Sequence, residues 1–116
     1  MKDNIVATKS FDFALLIIDL YKKLKTENEF IISKQILRCG TSIGANIQEA
    51  TAAFSKKDFV HKMSISSKEA RETKYWLLLL KKSDLTNINV ELHLKEVQSL
   101  INLLTKIVKT TQINLK

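Results

Sequence analysis

The sequence contains no proline and only two glycines among its 116 residues. Tight turns between β-strands usually need glycine, proline or an Asn-Gly pair. A sheet-rich fold of this size is therefore disfavoured, and long helices joined by short polar loops are favoured. The length suits one domain, residues 1–116, which can bury roughly two-thirds of its unfolded surface.

Cysteines and long apolar runs are also scarce. The single cysteine, Cys39, excludes an internal disulfide and fits a reducing cytoplasm. The longest apolar runs, around residues 14–18 and 76–80, are far too short to span a membrane. The N-terminus becomes charged too early for a secretory signal. We therefore expect a cytoplasmic protein without a membrane segment.

Recognisable catalytic and metal-binding motifs are missing as well. A di-iron bundle needs paired Glu-x-x-His units, but Glu69 and Glu72 have no histidine beside them, and His61 and His93 are isolated. No glycine-rich phosphate loop is present. Cys39 has no base near it in the sequence and is best interpreted as a small packing residue. We expect no enzymatic activity, no metal and no cofactor.

Four amphipathic segments account for most of the chain, at about residues 5–26, 29–53, 56–82 and 90–111. Apolar residues recur in them at spacings of three and four, which places those residues on one helix face. In the second segment this face runs from Ile32 to Phe54. Ser55, with Asp58 three residues later, is typical of a helix N-cap. The pattern predicts an all-α protein, an up-down-up-down antiparallel four-helix bundle.

Both glycines, Gly40 and Gly44, fall inside the second predicted helix. Each costs about 1 kcal/mol relative to alanine in a helix interior. Small residues such as Cys39 and Ala50 lie on the same helix, so we predict a narrow waist that lets another helix approach closely. The alternative is a loop around Gly40, which the continuous apolar spacing disfavours.

Polar side chains form a second row on this helix, beside its apolar face. The row consists of Gln35, Arg38, Ser42, Asn46 and Glu49. On the third helix, Glu69 and Glu72 interrupt an otherwise apolar row, where a charged group needs a partner. We predict that these carboxylates face Arg38, Asn46 or Arg71, within the chain or across a subunit contact. The alternative is a solvated rim position for both.

The formal net charge is +7, and its excess lies in the second half of the chain. Residues 55–86 carry eight basic and four acidic side chains. A basic surface attracts nucleic acid, but it can also serve only solubility. The candidate contacts are Lys56, Lys57, Lys62, Lys68, Arg71, Lys74, Lys81 and Lys82. They spread around the helix without forming one clean stripe. Lys57, Lys68 and Lys82 could share a broad face with nearby basic groups, but the spacing alone does not show it. Tyr75 and Trp76 are adjacent, so at least one is expected near the surface, with a subunit interface favoured.

Three runs of sequence resemble a known family. Residues 35–50, QILRCGTSIGANIQEA, resemble the helix 2 signature of the four-helix bundle proteins encoded by intervening sequences of bacterial 23S ribosomal RNA genes. Residues 59–66 and 68–77 resemble the helix 3 pattern of one branch, and the likeness extends over about residues 9–104. The chain departs from the family pattern at Ala50, where glycine is usual, and at Cys39, where serine or alanine is common. Both residues are small, so close packing should survive.

The resemblance implies an antiparallel bundle that assembles into a ring, often a homopentamer. It also implies similarity to the accessory proteins of diversity-generating retroelements, which bind nucleic acid and a reverse transcriptase. The motif positions carried over are Arg38, Ser42, Asn46, Glu49, Glu69 and Glu72. We therefore expect a homo-oligomeric accessory protein that binds RNA or DNA. The alternative is a protein-interaction scaffold without a nucleic-acid role.

Overall fold

The computed structural model describes residues 4–115, which form four α-helices. Helix α1 spans Asn4–Thr26, α2 spans Ile32–Thr51, α3 spans Lys56–Ser83 and α4 spans Glu91–Asn114. Each helix packs against the next one along the chain, and α4 closes the ring by packing against α1. The molecule measures 48 × 22 × 21 Å. The predicted all-α antiparallel four-helix bundle is confirmed.

The second helix begins later than the sequence pattern predicts, at Ile32 and not at residue 29. The Glu29 carboxylate accepts hydrogen bonds from the backbone N–H groups of Ile31, Ile32 and Ser33, at 2.6–3.2 Å. Asn28 adopts a left-handed backbone conformation with φ of 64°, which separates α1 from this capping segment. Glu29 thus satisfies the free N–H groups of the helix start, where its negative charge is also favourable.

The predicted apolar face of the second helix is wrong at its last residue, Phe54. Helix α2 ends at Thr51, two residues before the predicted end, so the chain has left the helix when it reaches Phe54. Its ring is fully exposed in the loop. The Ser55 cap is confirmed, since its hydroxyl accepts from the Asp58 N–H at 3.0 Å and starts α3 at Lys56.

The fourth helix extends three residues beyond its predicted end and begins one residue later than predicted. The Asn89 side chain accepts a hydrogen bond from the Glu91 N–H at 2.8 Å. Helix α3 ends at a left-handed Asp84, with φ of 58°. In the described part of the chain, no helix is both long and apolar enough to cross a membrane.

The core lies along the bundle axis and receives side chains from all four helices. Its fully buried large members are Ile17, Leu20, Leu24, Ile36, Ile43, Ile47, Met63, Leu77, Leu80, Leu100 and Leu104. Two buried polar residues of α3 have hydrogen-bond partners. The Ser66 hydroxyl donates to the Ile43 carbonyl on α2 at 2.8 Å, and the Thr73 hydroxyl donates to the Glu69 carbonyl at 2.7 Å. Ser66 therefore fixes the register of α3 against α2.

Helix α2 continues through both glycines without interruption. A Cβ atom added at Gly40 would lie 2.9 Å from both Cγ atoms of Ile17 on α1. At Gly44 the nearest atom would be Ser10 Oγ at 3.3 Å. The predicted narrow waist is confirmed, and the helix that approaches it is α1 of the same chain.

Candidate functional site

A charged cluster joins α2 to α3 on the outside of the bundle. The Arg38 guanidinium forms an ion pair with Glu69 at 3.4 Å and a second one with Glu72. It also donates to the Gln35 side-chain oxygen at 3.1 and 3.3 Å. Arg38 is half exposed, whereas 21% of the Glu69 side chain is exposed. The structure therefore confirms Arg38 as the partner of both carboxylates, within the chain.

Trp76 extends this cluster along α3. Its indole N–H donates to the Glu72 carboxylate at 3.0 Å. The two glutamates raise the pKa of Arg38 against the opposing effect of desolvation, so the guanidinium stays charged. One cation, Arg38, faces two carboxylates here, and the side chains of Arg38 and Glu72 remain partly exposed to solvent. We expect such a pairing to contribute about 1 kcal/mol at most to stability.

The other two predicted partners of the carboxylates, Asn46 and Arg71, make different contacts, and so does the motif residue Glu49. The Asn46 amide donates to the Ser42 carbonyl and hydroxyl oxygens, at 2.9 and 3.0 Å. Glu49 pairs with Lys62 of α3 at 2.8 Å. Arg71 extends towards α4, where it donates to the Thr105 hydroxyl at 3.0 Å. Four of the six family-motif positions, Arg38, Glu49, Glu69 and Glu72, therefore form ion pairs between α2 and α3, whereas Ser42 and Asn46 bond to each other within α2.

Cys39 and His93 are both buried. The Cys39 thiol donates weakly to the Ile36 carbonyl at 3.8 Å, and burial raises the thiol pKa, as expected for a packing residue. Both ring nitrogens of His93 lack a hydrogen-bond partner among the residues that the structure describes. Within residues 4–115, no three His, Cys, Asp or Glu side chains come together as a metal-binding group.

Four of the eight residues predicted to contact nucleic acid form an ion pair or a side-chain hydrogen bond within the chain. Lys62 and Lys81 pair with the carboxylates of Glu49 and Glu91, at 2.8 and 2.6 Å. Arg71 and Lys74 donate to neutral acceptors on α4, Thr105 and Gln98, and so keep their net charge. Exposed positions on α3 hold the remaining four, Lys56, Lys57, Lys68 and Lys82.

The eight cations do not all lie on one side of α3, but four of them, Lys57, Lys68, Arg71 and Lys82, share its outward side. Contacts with α2 and α4 define the outward side of α3, and a continuous row of residues follows it. The row steps by four and three through Lys57, His61, Ser64, Lys68, Arg71, Tyr75, Leu78 and Lys82. The three acidic residues of α3 lie on a different side, the one that faces α2; they are Asp58, Glu69 and Glu72. The spacing was visible in the sequence, but the outward side was not.

Helix α4 adds three exposed lysines beside this row. Gln98 and Thr105 face α3, and Lys95 and Lys109 lie one turn from them. A shallow depression on α4 is lined by Lys95, Gln98, Ser99, Asn102, Leu103 and Lys106. The name α3–α4 basic face is used for Lys57, Lys68, Arg71, Lys74, Lys82, Lys95, Lys106 and Lys109. Glu96 lies two residues from Gln98 and therefore points away from this face.

The opposite side of the bundle, between α1 and α2, has a different chemistry. Phe11 and Leu15 are 63% and 54% exposed on α1, and Ile18 is half-buried beside them. A groove next to them is lined by Ala7, Ser10, Phe11, Ala14, Thr41, Gly44, Ala45 and Gln48, all of them uncharged. These residues together with Leu15 and Ile18 are called the α1–α2 apolar face. This part of the α1–α2 side is therefore apolar, whereas the neighbouring groove towards the end of α1 also carries Lys22 and Lys25.

The comparisons with known proteins agree with this architecture and with the motif at residues 35–50. A model of the family described as 23S rRNA-intervening sequence protein matches residues 2–110. The chain belongs to this family. The resemblance inferred from the sequence is thereby confirmed, over slightly more of the chain than its motifs indicate.

A solved structure from Bacteroides thetaiotaomicron is similar to the whole bundle. It is described as a protein of unknown function from the S23 ribosomal protein family. The two share 49% sequence identity, with a TM-score of 0.86, over 94% of this chain and 99% of that one. No curated protein matches the chain. The family and the fold of this chain are thus established.

Proposed function

We propose that this member of the 23S rRNA-intervening sequence protein family is a cytoplasmic, non-enzymatic accessory protein that binds RNA or DNA as a homo-oligomer. The observation that carries the proposal is the α3–α4 basic face. It gathers eight cations, and within residues 4–115 no ion pair neutralises them.

The spacing of these cations suits a polyanion. Lys57 and Lys82 are 25 residues apart on one helix, which corresponds to about 37 Å at 1.5 Å per residue. Arg71 and Lys74 are held in place by Thr105 and Gln98, so they lose less freedom when they bind a phosphate. Binding of phosphates by such a row releases condensed counterions, which supplies affinity without reading sequence.

The α1–α2 apolar face supports the homo-oligomer. Exposed Phe11 and Leu15 gain by leaving water, and the uncharged groove beside them offers a surface without charge repulsion. Contact through this face leaves the α3–α4 basic face free on the other side of the bundle. The ring of five implied by the family resemblance would then combine the basic faces of its subunits.

A second candidate function is a protein-interaction scaffold, and the same apolar face favours it. A protein partner such as a reverse transcriptase could occupy that face in place of another copy. Recovery of a specific protein from nuclease-treated lysate, lost in a Leu15→Lys variant, supports the scaffold. The scaffold function also requires that the pure protein bind no nucleic acid.

Salt dependence tests the nucleic-acid role. We expect the affinity for duplex and structured RNA to fall by at least tenfold between 50 and 200 mM salt, because several phosphate contacts release counterions (slope about −0.9 per contact). The double variant Lys68→Ala/Lys82→Ala should reduce the slope by about 2. Lys22→Ala/Lys25→Ala removes the same charge from α1 and is the matched control, for which we expect a much smaller change. Absence of binding at 50 mM salt, or equal losses in both variants, contradicts the proposal.

Light scattering tests the assembly. The purified protein should have the mass of a closed oligomer, and Leu15→Lys should lower that mass because it places a charge on the α1–α2 apolar face. Leu92→Lys makes the same change at an equally exposed leucine of α4, away from this face, and should leave the mass of the assembly unchanged. A monomeric wild-type protein at micromolar concentration contradicts the homo-oligomer.

A further inference from the structure

Tyr75 is an exposed aromatic residue in the middle of the α3–α4 basic face. Its side chain is 57% exposed, although its neighbour Trp76 is half-buried. It shares the outward row of α3 with Lys68 and Lys82, each seven residues away, which corresponds to about 10 Å. Arg71 precedes it by one helical turn. An aromatic ring in this position is therefore flanked by cations along the helix.

Contacts behind the ring hold it in place. The rings of Tyr75 and Trp76 meet edge to face, with centroids 5.4 Å apart and planes inclined by 72°. Trp76 donates its indole N–H to Glu72, and Glu72 pairs with Arg38 on α2. The charged cluster of the α2–α3 groove thus immobilises Trp76, and Trp76 in turn supports Tyr75. A fixed ring loses little conformational entropy when a ligand stacks on it.

We propose that Tyr75 is a stacking platform for an unpaired base of single-stranded nucleic acid, whose neighbouring phosphates are held by Lys68, Arg71 and Lys74. The inference rests on the proposed function and adds the class of substrate. Bases inside a duplex already stack on each other, so their faces are not available to a protein ring. An exposed aromatic residue among cations gains most from a strand whose bases are free.

The discriminating experiment compares two probes and two variants of the full-length protein. The probes are a dye-labelled 15-nucleotide oligouridine and a 15-base-pair RNA duplex, at 50 mM salt. Stacking of one base contributes about 1–3 kcal/mol, so Tyr75→Ala should weaken single-strand binding by about 5- to 150-fold. Tyr75→Phe keeps the ring and should bind oligouridine within about twofold of wild type. Duplex affinity should be the same for all three proteins.

Several outcomes overturn the inference. One is an equal loss for both probes, or no loss, in Tyr75→Ala; another is a Tyr75→Phe variant as weak as Tyr75→Ala. A changed assembly mass in Tyr75→Ala by light scattering would place the ring between copies of the chain and overturn it too. Salt-dependent duplex binding without any effect at Tyr75 rejects the platform but leaves the proposed function intact. Failure to bind either probe rejects both.

Discussion

Replacing Gly40 by valine should lower the free energy of unfolding by about 3 kcal/mol, as measured by urea denaturation. Even a single added carbon would lie 2.9 Å from both Cγ atoms of Ile17. Ile17 is fully buried and β-branched, so its side chain has little freedom to move aside. Overpacking of a filled core typically costs about 1–3 kcal/mol, and valine adds three carbons where the first already collides.

Gly44→Ala is the matched control for this prediction. An added Cβ there meets Ser10 Oγ at 3.3 Å, a contact that a small shift relieves. Alanine also favours a helix by about 1 kcal/mol over glycine, so we expect a stability within about 1 kcal/mol of wild type. Because Ile17→Ala removes the colliding atoms, its effect and that of Gly40→Val should be less than additive by at least about 1 kcal/mol. A Gly40→Val protein as stable as wild type contradicts the close approach of α1.

Replacing His93 by leucine should stabilise the protein by about 1–2 kcal/mol at pH 7.5. The ring is buried on α4, and neither nitrogen has a hydrogen-bond partner, an arrangement that costs about 1–3 kcal/mol. Leucine is of similar size and has no polar atom to leave unsatisfied. Thermal or urea unfolding of the two proteins in the same buffer measures the difference.

Because His93 is buried, we also expect the protein to lose stability in mild acid. Burial lowers the pKa of His93 below its ordinary value of 6.5; Lys23 lowers it further and Asp19 opposes the shift. Since the unfolded chain takes up the proton first, stability is fully present above about pH 6.5 and declines as the pH falls below it, by at most about 1.4 kcal/mol per pH unit. His93→Leu should show a weaker decline between pH 7.5 and 5.5. His61→Leu replaces an exposed histidine and should decline like wild type; equal pH dependence of all three proteins would falsify the prediction.

The helices illustrate how far local patterns reach. Apolar spacing predicted α1 and α3 to within one residue, because their inward faces are continuous and their ends carry local signals such as the Ser55 cap. Around α2 the same reasoning failed at both ends. Glu29 continues the polar-apolar pattern, but its carboxylate caps the helix, and Phe54 continues the apolar spacing after the helix has ended. A periodic pattern does not report the residue at which the backbone leaves the helix.

The candidate site was likewise predicted only in part from the sequence. The row on α3 that contains Glu69 and Glu72 indicated that these carboxylates need a partner, and Arg38 was among the three predicted. The choice between Arg38 and Arg71 needed the positions of α2 and α4, because the Arg71 side chain extends towards α4 and Arg38 extends towards α3. The sequence left a shared face of Lys57, Lys68 and Lys82 open for a related reason: helical spacing places these residues on one side of α3 but does not say whether that side faces a neighbouring helix or the solvent.

The amino-acid sequence by itself determined the fold class, the family and the narrow waist of α2, since each follows from helical spacing and from residues close together along the chain. Tertiary structure decided which helix packs against the narrow waist of α2, which guanidinium pairs with the carboxylates and which side of α3 is exposed to solvent. These properties depend on how helices distant in the sequence are arranged around one core. Contacts between such helices are set by packing of all four at once, and no single segment encodes them.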